Sequence, residues 1–240
     1  MKIGILQTGL APAELAAQSG EYPEMFADLL KGHGFDFASW AVVNGDFPSG
    51  PEAADGWLIT GSRHGAYEDH DWIPPLEDLI RAIAASSRPM VGICFGHQII
   101  AQALGGKVIK YPGGWSVGRT EYDLDGETFA LNAWHQDQVT EVPQGAEVIG
   151  KSDFCAHAAL VYDDRILTIQ PHPEFGPDIV DHHGQMSVTI AEIIGLCGAL
   201  VDGQFEFESN LVSRHVDQGE PFKIQTIHHF QAEGLFVIGD

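Results

Sequence analysis

The chain has 240 residues, 44% hydrophobic and 19% charged, enough for one well-packed α/β domain and short for two. Twelve Lys and Arg against 34 Asp and Glu give a formal charge of −22, which repels phosphate backbones and argues against nucleic acid as a partner. No window of 18 or more uncharged apolar residues occurs, so no membrane span or membrane partner is expected.

"MKIGILQTGLAPAEL" enters a strand-like segment without the apolar region and cleavage site of a signal peptide, so the cytoplasm is the expected compartment. "KIGILQTG" reads as a first strand. "YPEMFADLLKGHG" carries apolar residues at helical spacing and closes on Gly32 and Gly34. "FDFASWAVV" is a second strand, and "GWLITGS" a third, apolar on both faces like a central parallel strand. "WIPPLEDLIRAIAASS" is a helix with its prolines in the opening turn, where a missing N–H costs little. "PMVGIC" is a fourth buried strand that runs into the helix "HQIIAQAL".

From about Lys107 the texture changes. "KVIKYPGGWSVGRTEYDL", "FALNAWHQDQVTEVP", "AEVIGKS", "CAHAALVYDD" and "RILTIQPHPEF" read as strands separated by turn residues. The stretch from Asp178 reads as interrupted helix, and the last residues, about 200–240, carry no usable motif. The expected architecture is α/β: a mostly parallel sheet, helices on both faces and an antiparallel extension, in a single domain over 1–240 with its core in about 1–200.

Three cysteines, Cys94, Cys155 and Cys197, are odd in number and lack a C-x-x-C, so neither a disulfide framework nor a zinc ribbon is expected. Cys94 stands apart. In "GICFG" the flanking glycines let a strand turn abruptly into a helix and hold the central side chain at the sheet edge, the geometry of a nucleophile elbow. The following helix's dipole favours a thiolate there, and the Phe95 N–H is placed to meet an oxyanion. "QPHPEF" supplies a base: His172 and Glu174 lie two apart in a segment read as extended, so both side chains project to one face. Pro171 and Pro173 disfavour an ordinary ladder strand. A buried structural cysteine and a surface His–Glu pair are the plain alternatives.

The order Cys, His, Glu differs from that of an α/β-hydrolase, whose acid precedes its histidine. With G-I-C-F-G-H-Q and Q-P-H-P-E-F it resembles the class I (triad) glutamine amidotransferases, over about residues 3–175. The resemblance implies a flavodoxin-like fold, no cofactor, and a glutaminase-type cysteine hydrolase acting through a γ-glutamyl thioester. It assigns Cys94 as nucleophile, His172 as base and Glu174 as its orienting partner. The oxyanion donors are then the N–H groups of Phe95 and Ser62, with Gly61 beside the second. Gln98 matches a substrate-contacting glutamine, and "WHQDQV" looks like the S-H-G-D-x-V segment of the GMP synthetase glutaminase, placing Trp134, His135 and Gln136 along the substrate's amino-acid end with Asp137 supporting the loop. This chain has Gly61-Ser62-Arg63 where the family often has Gly-Gly-Pro, and His135-Gln136 in place of His-Gly.

Two uses of such a site stay open: glutamine hydrolysis feeding a separate synthase subunit, or hydrolysis of a γ-glutamyl compound. A redox-sensing role for Cys94 is a third reading, which gives His172 and Glu174 nothing to do. The twelve histidines, His64, His70, His97, His182-His183 and His228-His229 among them, show no metal-binding spacing and read as solvated; no metal is expected. Arg63, Tyr67 and Trp115 fall on loops that could face the distal end of a substrate.

Overall fold

A computed structural model of the chain describes residues 1–175, apart from 125 and 164. The interrupted helix expected from Asp178, the segment 200–240, Cys197 and the histidine pairs at 182–183 and 228–229 lie outside the described residues.

The strands are β1 (Lys2–Leu6), β2 (Asp36–Trp40), β3 (Gly56–Ile59), β4 (Met90–Ile93), β5 (Lys107–Lys110), β6 (Ser116–Leu124), β7 (Glu127–His135), β8 (Asp137–Glu141), β9 (Ala146–Lys151), β10 (Ala159–Tyr162) and β11 (Ile166–Ile169). Helices are α1 (Ala13–Ser19), α2 (Tyr22–Leu29), α3 (Ile73–Ala85) and α4 (Phe95–Ala103). Nine strands form one sheet in the order β2-β1-β3-β4-β11-β10-β9-β6-β7, while β5 and β8 pair separately. The first five run parallel; from β11 onward each pairing is antiparallel. This is the expected division into a parallel half and an antiparallel extension.

Alternation along the buried strands divides the core between the two faces. Ile3, Ile5, Leu58, Val91 and Ile93 pack with Tyr22, Met25 and Phe26 of α2. Trp57, Ile59 and Met90 pack with Leu76, Ile80 and Ile83 of α3 and Ile99 and Ile100 of α4. Helices therefore cover both faces, as a parallel sheet requires. In α2, Glu21 and Glu24 form a reciprocal capping box, and the chain after it takes left-handed φ at Gly32 and Gly34. The prolines of α3 do fall in its first turn.

Several boundaries differ from expectation. Helix α1 is short, opens on Pro12 without a side-chain cap, and so leaves little trace in sequence. Strand β2 stops at Trp40, and Val42–Asn44 form a 3-10 turn. Two segments expected as single strands each break in two and change sheet: β5 and β6 part at the Pro-Gly-Gly turn, and β7 passes into β8 at Gln136. The pivot at Gln136 is held from outside by its own amide, which donates to the Tyr111 carbonyl (3.1 Å), a contact invisible to local pattern. Among the described residues no helix is long and apolar enough to cross a membrane.

Candidate active site

Four adjacent parallel strands, β1, β3, β4 and β11, end on the same edge of the sheet, the edge where open α/β sheets collect ligands. Just past them come Thr8, Thr60-Gly61-Ser62, Cys94, and Gln170-Pro171-His172. Register fixes the alignment, since Ile59 pairs with Gly92 and Ile169 with Ile93.

Cys94 joins β4 to α4 with φ 53° and ψ −102°, a backbone that an L-residue adopts only under constraint. The constraint comes from close packing at the two glycines. A Cβ on Gly92 would lie 2.6 Å from the Gly96 carbonyl oxygen, and one on Gly96 would collide with the Ile59 carbonyl. The glycines thus serve by lacking a side chain, while the strained dihedrals fall on the cysteine. The Phe95 N–H is among the first four of α4, which have no acceptor within the helix. Cys94 Sγ is 4.0 Å from the Trp134 carbonyl oxygen, a loose contact.

His172 and Glu174 meet, though not through an extended backbone. His172 makes an isolated antiparallel bridge to Asn132 of β7, and a turn follows at Pro173 and Glu174. The His172 N–H donates to the Asn132 carbonyl (2.8 Å), and Asn132 Nδ2 donates to the Phe175 carbonyl (2.8 Å), pinning both ends of the turn. Within it the His172 Nδ1–H donates to Glu174 Oε1 at 2.8 Å, with both side chains buried. Phe175 stacks on the imidazole, centroids 4.2 Å apart and rings 5° from parallel. Burial disfavours the imidazolium, but the Cys94 sulfur and the Glu174 carboxylate outweigh it and hold the His172 pKa above its ordinary value.

The loop after β3 closes the site. A Cβ on Gly61 would stand 3.1 Å from His172 Cε1 and 3.8 Å from Cys94 Cβ, so only glycine fits there without moving the ring. The Gly61 carbonyl lies 3.1 Å from the hydroxyls of both Thr8 and Thr60. In a trans peptide the carbonyl and the following N–H point in opposite directions. Tying the Gly61 oxygen to two hydroxyls therefore turns the Ser62 N–H the other way. The Ser62 hydroxyl accepts the His64 N–H at 3.2 Å.

The remaining expected residues are nearby but occupied by protein. Gln98 is buried, its amide donating to the Asp137 carbonyl (3.0 Å) and to Gln170 Oε1 (3.1 Å). His135 is buried with Nδ1 3.2 Å from the Asp137 carbonyl, and burial lowers its pKa to about 4. Trp134 is half-exposed and edges against Phe175. Tyr67 donates to Asp137 Oδ1 at 3.2 Å; Arg63 and Trp115 are exposed.

His97 departs from expectation. Instead of being solvated it is fully buried, with Nδ1 2.8 Å from Thr168 Oγ1 and a pKa lowered to about 3 by burial. His64 and His70 are likewise partly buried, on either side of Glu68, rather than solvated. Thr8, Thr60 and Asn132 were not anticipated; each acts through a contact 40 or more positions away.

Comparison with known proteins places this arrangement. The family model for glutamine amidotransferase class-I matches residues 51–185. The chain is 35% identical over 177 residues to γ-glutamyl peptidase 4 of Arabidopsis thaliana, covering 67% of this chain and 70% of that protein. It is 32% identical over 157 residues to the glutamine-hydrolysing subunit of the GMP synthase of Methanopyrus kandleri, covering 56% and 77%. A glutamine amidotransferase structure from Thermotoga maritima superposes with a TM-score of 0.70 at 18% identity, covering 86% of this chain and 98% of that one, a likeness of fold. A family match over more than half the sequence, on a sheet edge that assembles Cys94, His172 and Glu174, has one reading: the chain belongs to the class I glutamine amidotransferase family.

Proposed function

We propose that this protein hydrolyses γ-glutamyl amide bonds, with Cys94 as nucleophile, His172 as proton carrier and Glu174 holding its ring. The observation that carries the reading is the packing of Gly61 between Cys94 and a histidine already bonded to Glu174. In the first half-reaction the thiolate adds to the γ-carbonyl, forming a C–S bond, while the N–H groups of Phe95 and Ser62 receive the oxyanion. His172 gives its proton to the nitrogen as the C–N bond breaks, and the amine or ammonia leaves. In the second, water adds to the thioester and passes a proton to His172. The C–S bond then breaks, releasing glutamate and restoring the thiolate–imidazolium pair. Gln98, Trp134, His135 and Gln136 line the amino-acid end, all but Trp134 held by the contacts that fix the β7–β8 crossing.

The substrate class favoured is the γ-glutamyl peptide or conjugate. Supporting it, several curated relatives that span about two-thirds of this chain are named γ-glutamyl peptidases. The half-exposed Trp134 beside the sulfur also offers an apolar wall for a leaving group larger than ammonia. The test is to assay the purified chain with γ-glutamyl dipeptides and with glutamine, each with and without cell extract. Faster turnover of dipeptides by the chain alone supports the reading. Glutamine turnover that appears only with extract points instead to a synthase partner, and inertness toward all substrates contradicts a hydrolase.

A further inference from the structure

A group of side chains outside the reacting centre has the composition of a metal site. His64, Glu68 and His70 sit on the loop that leaves Ser62, with one ligating atom from each within 4.8 Å of the other two. His64 Nδ1 is 3.3 Å and His70 Nε2 2.8 Å from the same carboxylate oxygen, Glu68 Oε2. Ligands held at roughly 2.0–2.1 Å in a tetrahedron stand about 3.3 Å apart, so the trio needs only small side-chain rotations to close on an ion.

The loop is also prepared for that geometry. The Glu68 N–H donates to the Gly65 carbonyl (3.0 Å) and the His70 N–H to the Glu68 carbonyl (3.1 Å), winding the three residues into successive turns. The buried Trp72 backs both imidazoles: its ring stacks on His70 at 5.9 Å and meets His64 edge-on at 5.9 Å. The rings thus keep a common orientation, which lowers the entropic cost of ligation. Asp69 and Asp71 flank the trio with exposed negative charge on an already acidic chain.

We propose that His64, Glu68 and His70 bind a divalent transition-metal ion of the zinc class. Two imidazoles and one carboxylate suit Zn2+ and its neighbours and disfavour Mg2+ or Ca2+, which take oxygen ligands. Three protein ligands leave a fourth position for water. Because the His64 N–H is bonded to the Ser62 hydroxyl, the ion would act as a clip on the loop carrying that backbone, without touching the sulfur.

Calorimetric titration of the metal-stripped full chain with Zn2+ tests this. One equivalent is expected to bind, equally well in Cys94→Ser, which excludes the active-site thiolate as ligand and keeps the result independent of the catalytic reading. His70→Ala and Glu68→Gln are each expected to weaken binding by at least about tenfold. Co2+ in place of Zn2+ should give the visible absorption of a tetrahedral site, lost in His64→Ala. Circular dichroism of each variant separates lost ligation from lost folding. No stoichiometric binding in the parent overturns the proposal. So does affinity unchanged in a folded His64→Ala/His70→Ala double variant, or affinity lost in Cys94→Ser while the loop variants bind normally.

Discussion

Two buried cysteines of this chain sit in opposite circumstances. Cys155 lies wholly in the core, and burial pushes its thiol up to about 12, so it stays protonated and inert. Cys94 is almost as buried, yet it stands at a helix N-terminus with positive φ, facing His172. Burial alone does not separate a structural cysteine from a nucleophile. The difference lies in the backbone that aims the sulfur and in the cation available to pair with it.

The contrast is sharpest in activity. Cys94→Ser is expected to lower γ-glutamyl hydrolysis by about four powers of ten or more, whereas Cys155→Ser leaves kcat within about twofold. Comparable losses in both would erase the distinction. Next comes the partner of the sulfur. Glu174→Gln removes a charge that raises the His172 pKa, so kcat/KM should fall by about two to four powers of ten. The imidazolium survives only up to its raised pKa, and lowering that pKa moves the alkaline limb of the pH–rate profile to lower pH. An alkaline limb that stays in place, whatever the loss in rate, counts against Glu174 as the group that holds the proton on His172.

A smaller effect is expected at the loop that receives the oxyanion. Thr60→Val keeps the shape of a fully buried side chain and removes one of two hydroxyls on the Gly61 carbonyl. It should lower kcat by about ten- to a hundredfold with KM little changed, below the full loss of a donor. A change confined to KM would mean the tie positions substrate instead. The smallest effect concerns stability. His97, kept neutral by burial, binds a proton in the unfolded chain near its ordinary pKa but in the folded chain only near 3. Stability therefore falls as pH drops below about 6.5, and this residue accounts for about 2 kcal/mol between pH 7 and pH 5. Urea unfolding of His97→Gln at both pH values should show a loss smaller than the parent's by that amount; equal losses would refute it.

Much of the fold was legible because its elements carry local marks: the four buried strands of the parallel half, the prolines opening α3, the glycines around Cys94. The triad residues were legible for the same reason, since G-x-C-x-G and P-H-P-E each compress a backbone constraint into a few positions. What was not legible depends on distant contacts. Nothing near Gly61 announces that Thr8 will turn its peptide, and nothing near His172 announces Asn132 as its backbone partner. The same blindness made His172 and Glu174 look like neighbours on a strand, when a turn pinned by β7 brings them together. His97 follows the elbow motif and so looked available, but its helix carries it into the core beside Thr168.

Mass spectrometry after exposure to a diazo-ketone analogue of glutamine tests the central assignment most directly. One adduct on the Cys94 peptide, none on Cys155, and loss of the adduct in a folded His172→Ala variant is the result expected if the sulfur and imidazole act as a pair. Labelling of Cys155 to the same extent, or a Cys94 left unmodified while the analogue consumes other side chains, would contradict it.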